Sequence, residues 1–181
     1  MRQLLLLRHA KSSWDDPAQS DHARPLNARG RSAAAGVRQA MRDLGLVPDV
    51  VLVSSARRTL QTLEALAPWD ETPIIEPMNG LYLASAAQIV QTLQGMSDTV
   101  RSVMVIGHNP GLHDLALTLV GAHAMATAGP LVHRLAQGFP AGGLAEFTIA
   151  RSWRDLGDGG GEGGGRLVRF LSPRDLSELA N

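Results

Sequence analysis

The chain has 181 residues, 44% of them apolar, with 17 Lys and Arg balanced by 17 Asp and Glu and no cysteine. Such a length buries one core well and two poorly, so a single domain spanning residues 1–181 is expected. Balanced charge argues against an overall field for nucleic acid or an anionic membrane, and the missing cysteine excludes a disulfide framework and a thiolate metal site.

Leu4 to Leu7 form an unbroken apolar run that fits a strand buried on both faces, and Arg8-His9 ends it abruptly. Four leucines are too few for a signal-peptide core. Lys11 to Pro25 is a long polar connection, longer than strand-to-helix geometry requires, and such loops tend to carry function. A helix is expected from the N-cap Asn27, with Ala33, Val37, Met41 and Leu44 on one stripe and Gly45 as a left-handed cap. Val50 to Val53 reads as a second buried strand, followed by a helix from about Ala56 to Ala67 that Pro68 terminates. Ile74-Ile75 makes a short strand between prolines. Ser85 with Gln88 forms a capping box for the next helix, which carries Ile89, Val90, Leu93 and Met96. Val103 to Ile106 is the next strand, and a helix runs from Leu112 to about Val120. His113, Asp114 and His123 interrupt the most apolar later region, so no membrane span is expected.

Strands alternating with helices predict a three-layer α/β/α architecture with a mostly parallel central sheet. The tail differs: Leu144 to Ala150 and Arg166 to Leu171 read as an edge hairpin joined through Gly157–Gly165. That glycine run lacks the Gly-Lys-Ser/Thr ending and the strand-to-helix setting of a phosphate-binding loop, and is expected to be a flexible connector.

On this scaffold His9 follows the first strand, Arg57-Arg58 opens the helix after the second, and His108 follows the fourth. All stand at carboxyl ends of parallel strands, where open α/β sheets place their ligands. Arg8 and Arg58 with free helix-end N–H groups suit a tetrahedral dianion, and neighbouring cations hold each imidazole neutral and hence nucleophilic. Taken singly, Arg57 or Arg58 is an ordinary solvated helix residue, and His108 before Asn109-Pro110-Gly111 an ordinary turn residue. Their joint placement is what points to chemistry. His108 and His113 lack the one-face spacing of zinc-binding helices. His22, His123 and His133 read as surface or packing residues.

Arg8-His9-Ala10, Ser54-Ser55-Ala56-Arg57-Arg58-Thr59-Leu60-Gln61-Thr62 and Gly107-His108-Asn109-Pro110-Gly111 together resemble the histidine phosphatase superfamily, whose fold is phosphoglycerate mutase-like. The likeness is greatest to its SixA-type phosphohistidine phosphatase branch. Arg24-Pro25-Leu26-Asn27-Ala28-Arg29-Gly30, Leu81-Tyr82 and Ser172-Pro173-Arg174-Asp175-Leu176 extend it over nearly the whole chain. The resemblance implies that His9 becomes phosphorylated, Arg8 and Arg58 grip phosphoryl oxygens, and His108 stabilises the charge of transfer. The resemblance favours Arg58 over Arg57, because the family's pocket Arg stands three residues before the Gln of its Gln-Thr pair, here Gln61-Thr62. Asn109 is a further binding candidate through its backbone, and Arg24 a candidate for the pocket wall. No metal or cofactor is expected, since the arginines and His108 supply the charge.

Larger relatives carry an acidic residue that protonates the leaving alcohol. Asn79-Gly80-Leu81-Tyr82-Leu83 offers none, leaving Glu76, Asp15 and Asp16 as candidates that read more simply as solvated carboxylates. An imidazole leaving group, with a conjugate-acid pKa of about 6.5, needs that proton far less than an alkoxide does. The expected activity is therefore a metal-independent, cytoplasmic phosphatase acting on phosphohistidine in a protein, monomeric by default. A phosphatase of small phosphorylated substrates, or a non-catalytic module that binds a phosphorylated ligand, are the alternatives.

Overall fold

Leu4, Leu5, Leu6 and Leu7 have no solvent exposure and form the middle of β1 (Arg2–Arg8) in a computed structural model that describes residues 1–157 and 164–179, with the backbone alone at 179. Strand geometry sends alternate side chains to opposite faces. Leu4 and Leu6 therefore enter one apolar layer and Leu5 and Leu7 the other. Each fully buried leucine contributes about 2 kcal/mol of transfer free energy, before chain entropy is subtracted.

The remaining strands are β2 (Val50–Ser54), β3 (Ile74–Met78), β4 (Ser102–Gly107), β5 (Leu144–Ile149) and β6 (Gly165–Leu171), in the order β3-β2-β4-β1-β5-β6. The first four elements of that order run parallel; β5 is antiparallel to β1, and β6 to β5. The sequence expectation of a mostly parallel sheet with a C-terminal edge hairpin matches this order. The glycine-rich connector expected between β5 and β6 falls largely on residues 158–163, outside the described residues. Just before it, Trp153 and Leu156 are fully buried, and the Trp153 indole donates to Val100 O at 2.8 Å. The other sheet edge, β3, is exposed at Ile74 and Ile75 and carries Pro77, which an edge strand tolerates because its N–H is not needed by a neighbour.

Helices α1 (Ala28–Asp43) and α2 (Arg57–Leu66) cover the Leu5/Leu7 face through Val37, Met41, Leu63 and Leu66. Asn27 caps α1 by accepting from Gly30 N, and Gly45 follows it at φ 64°, a left-handed turn suited to glycine. Helices α3 (Ala86–Gln94), with its Ser85–Gln88 capping box, and α4 (Gly111–Val120) cover the other face. Three further helices lie outside the sequence expectation: α5 (Ala122–Ala126), α6 (Pro130–Gln137) and α7 (Pro173–Leu179). All are short, so they carry too few turns for an apolar stripe to register. Leu135 of α6 is fully buried under the α4 layer, and α7 packs on α1. No helix among the described residues is long and apolar enough to cross a membrane.

Gly111, where α4 starts, is required by close packing. A Cβ there would stand 1.9 Å from Ala84 O. Gly111→Ala is expected to destabilise the fold by about 1–3 kcal/mol or more, because backbone must yield, and a lowered urea midpoint checks this.

Candidate active site

Register explains how residues remote in sequence become neighbours. Arg8 pairs with Gly107 across the β1–β4 ladder, so the next residue on each strand, His9 and His108, emerges side by side from the carboxyl rim. Their rings lie 5.3 Å apart, tilted by 55°. His9 N continues the ladder by donating to Gly107 O at 3.1 Å. Chain order alone would not give this adjacency: the chain passes outward to β2 and β3 before β4 returns to insert beside β1.

The Arg58-Thr59-Leu60-Gln61-Thr62 run ties α2 to this rim. The Thr59 hydroxyl donates to backbone carbonyls at Ser54 and Ala56, and Thr62 Oγ1 accepts from Ala10 N at 3.0 Å. Gln61 Oε1 accepts from Leu26 N at 2.8 Å, fixing the loop after β1. These bonds place Arg58, only 2% exposed, between the two imidazoles, while Arg57 points to solvent. Arg58 Nε donates to His9 Nε2 at 3.3 Å, and Arg58 Nη2 to His108 Nδ1 at 3.3 Å.

Partners fix both tautomers. His9 Nδ1 stands 2.7 Å from the Ala10 carbonyl, which can only accept, so the proton is on Nδ1 and the lone pair on Nε2. Likewise His108 accepts at Nδ1 and donates from Nε2 to Ser54 Oγ at 2.7 Å. Burial, followed by the charges of Arg58, Arg8 and Arg24, brings His9 down to about 4 against an opposing hydrogen bond to Ala10. Burial and then Arg58 and His9 bring His108 down to about 3, Asp21 opposing. Both rings are thus neutral at pH 7. The unfolded chain binds protons on them below about pH 6.5 while the folded chain resists until about 4 or 3. Their contribution to stability is therefore complete above pH 6.5 and is lost as pH falls through that window, which urea titrations at pH 7 and pH 5 will show as a falling midpoint.

Arg8 is half-buried. Its Nη1 donates to Phe139 O at 3.0 Å, and its buried Nε finds no acceptor among the described residues. Burial and then the charge of Arg58 push its guanidinium below the usual range. Asn109 Nδ2 donates at 2.8 Å to the same Phe139 carbonyl, so its side chain braces the acceptor that holds Arg8. Arg24, 7% exposed, donates to Ser12 Oγ at 3.0 Å and to Asp21 Oδ1 at 3.1 Å. Its guanidinium lies 3.4 Å over the Trp14 ring.

Two residues that sequence reasoning passed over complete the rim. Asp21 lies in a single 3₁₀ turn of the long first loop; its carboxylate accepts from Arg58 Nη2 at 3.1 Å and its carbonyl from Arg58 Nη1 at 2.7 Å. Tyr82 OH donates to Asp21 Oδ2, and its ring stands edge-on to His108 at 5.5 Å. His22 hydrogen bonds with Ser55 Oγ at 2.9 Å and meets Tyr82 edge-on, at the exposed border. Neither Asp21 nor Tyr82 carried a periodic signal; the available hints were the acidic content of the first loop for Asp21 and the Leu81-Tyr82 pair of the family resemblance for Tyr82. The Tyr82 hydrogen bond, then Arg58 and Arg24, brings Asp21 down to about 2 against desolvation. Among the described residues, Asp15, Asp16 and Glu76 make no hydrogen bond or ion pair with these side chains: Asp16 caps Ala18 N, and Glu76 is exposed on β3. His113 bonds to Leu135 O at 2.7 Å, away from His108. Among the described residues, no three His, Cys, Asp or Glu side chains gather as a metal site.

Two lone pairs facing one guanidinium, a second guanidinium with an uncommitted donor, and neutral imidazoles compose a site for handling a phosphoryl group. A family model of the histidine phosphatase superfamily (branch 1) matches residues 4–78. An uncharacterized protein of Mycobacterium tuberculosis is 32% identical over 171 residues, covering 93% of this chain and all of that protein. An uncharacterized chloroplastic protein of Arabidopsis thaliana is 35% identical over 131 residues, 67% of this chain; the chain spans 60% of that protein's length. Among solved structures, the candidate phosphohistidine phosphatase SixA of Nakamurella multipartitia superposes with a TM-score of 0.80 at 28% identity, covering 95% of this chain and 96% of that one. Its counterpart from Agrobacterium tumefaciens gives 0.78 at 28% identity, covering 95% and 98%. The chain belongs to the histidine phosphatase superfamily and is a hydrolase with phosphatase activity.

Proposed function

We propose that this phosphatase hydrolyses phosphohistidine in a protein through a phosphohistidine intermediate on His9. The carrying observation is the state of the carboxylate at the rim. Asp21 is held ionised, with its pKa near 2, by Tyr82, Arg58 and Arg24, so it has no proton to give at neutral pH. An alkoxide leaving group would need that proton, whereas a departing imidazole takes one from water.

The His9 Nε2 lone pair attacks phosphorus in line; the new N–P bond forms as the substrate's P–N bond breaks, and the displaced imidazole picks up a proton. Water then attacks phosphorus, releasing orthophosphate and regenerating neutral His9. Arg8 and Arg58 hold the phosphoryl oxygens, and positioning with cationic stabilisation supplies most of the acceleration. A bound dianion offsets Arg58 and raises the proton affinity of His108, whose Nδ1 takes up a proton from solvent or from the entering phosphoryl group and donates it in a hydrogen bond to a phosphoryl oxygen. Asn109 braces Arg8, and Arg24 closes the wall beside Trp14.

Rapid quenching after incubation with a labelled phosphoramidate should trap an acid-labile, alkali-stable phosphoenzyme. Turnover of a phosphohistidine peptide should exceed that of aryl and sugar phosphates. Efficient alkyl-phosphate turnover that depends on Asp15, Asp16 or Glu76 would instead mark a phosphomonoesterase, and anion binding without a trapped adduct a binding module.

Asp21 acts as a positioning residue in this reading. Asp21→Asn should lower kcat by about 10–100-fold through loss of Arg58 orientation. Orthophosphate inhibition should not weaken, because a repelling charge leaves with the carboxylate. An equal loss in kcat and in orthophosphate affinity would show a general collapse of the site.

A further inference from the structure

A groove of about 770 Å³ opens beside the nucleophile, with Arg8 and His9 in its wall. Lys11, Arg24, Arg29 and Arg174 line it as well, so five of the chain's 17 Lys and Arg converge there while no carboxylate lines it among the described residues. A chain of zero formal net charge has no general reason to concentrate cations in this way. Lys11 and Arg29 are exposed, and their side chains make no hydrogen bond or ion pair among the described residues. Among the described residues the Arg174 guanidinium has only a long 3.6 Å contact to Glu178, both ends largely exposed. Trp14, 75% exposed, forms a flat wall on which Arg24 stacks, and Ala33 and Pro140 supply apolar lining.

Resting on the reading that the phosphoryl donor is part of a polypeptide, we propose that this groove binds an acidic segment flanking the phosphorylated residue, with Lys11, Arg29 and Arg174 as its specificity contacts. The cations come from three separate elements, the first loop, α1 and α7, and apolar lining with an aromatic wall suits peptide backbone and side-chain stems. Such rim charges chiefly set encounter rate and partner choice, and salt screens them.

The test uses the full chain and four synthetic peptides: phosphohistidine or phosphoserine, each flanked by Asp/Glu or by Gln/Ser. Acidic flanks should raise kcat/KM by about tenfold at low salt, and 0.5 M salt (roughly a 4 Å screening length) should erase the gain. The K11Q/R29Q/R174Q variant should lose the flank preference yet keep its kcat/KM on a small phosphoramidate. An unphosphorylated Glu-rich peptide should inhibit that small-substrate reaction competitively, and a Gln-rich one should not. Equal rates on both flanks together with equal inhibition by both peptides overturns the proposal, as does a flank preference that survives the triple substitution. Which linkage is cleaved reports separately on the phosphohistidine reading, and the inhibition arm decides the groove even where neither phosphopeptide is turned over.

Discussion

His9→Ala should abolish the trapped phosphoenzyme and reduce turnover by on the order of 10⁴-fold or more, the scale seen when a covalent nucleophile is removed. The reason lies in how the ring is prepared. Its Nδ1 proton is committed to the Ala10 carbonyl at 2.7 Å, leaving Nε2 as the sole lone pair, and that atom faces Arg58. Burial and three nearby guanidiniums keep it unprotonated down to about pH 4, so at neutral pH nearly every chain carries His9 with its Nε2 lone pair free of a proton, as the proposed role requires. His108 also turns a lone pair, Nδ1, toward Arg58 and commits Nε2 to Ser54, so a His108→Ala protein labelled in parallel distinguishes the two rings. Quench labelling together with far-UV circular dichroism separates chemistry from unfolding. Retention of an acid-labile adduct in a folded His9→Ala protein would move the nucleophile elsewhere.

Arg58→Lys should cost about 10²–10³-fold in kcat/KM, comparable with loss of a principal charge-stabilising donor. The guanidinium reaches His9 and His108 while also donating through two nitrogens to the carbonyl and carboxylate of Asp21. An ammonium cannot span these partners, so retaining the charge does not retain the fork. The pH profile gives an independent readout. Arg58 is one of the influences that lower the His9 and His108 pKa values, though burial is the larger one. Arg58→Ala should therefore shift the acid limb of kcat/KM upward from about pH 4, while keeping it below the ordinary histidine value of about 6.5. An unshifted limb would place the titrating group away from Arg58.

The sheet and its two covering layers were legible because burial imposes period. Leu4 to Leu7, Val50 to Val53 and Val103 to Ile106 are unbroken apolar runs, as strands covered on both faces must be, and the α1 stripe repeats every three to four residues. The helices α5, α6 and α7 escaped because they are too short to repeat a pattern, and their existence depends on what they dock against. Trp153 and Leu156 show the same: both are buried anchors in a connection with no periodicity of its own.

Motif order and strand ends placed Arg8, Arg58, His9 and His108 on one rim. What only the folded chain decided is the contact between them and the company they keep. The Arg8–Gly107 register sets the two imidazoles abreast, and that pairing depends on β4 inserting beside β1, a matter of strand order that local residues do not encode. Asp21 reaches Arg58, and Tyr82 reaches Asp21 in turn, from two separate irregular turns through single side-chain bonds. Such contacts leave no period in the sequence, because hydrogen bonds between loops need one well-placed atom rather than a repeating face. The apolar patterns determined the scaffold; closure of the loops onto it determined the electrostatics of the site.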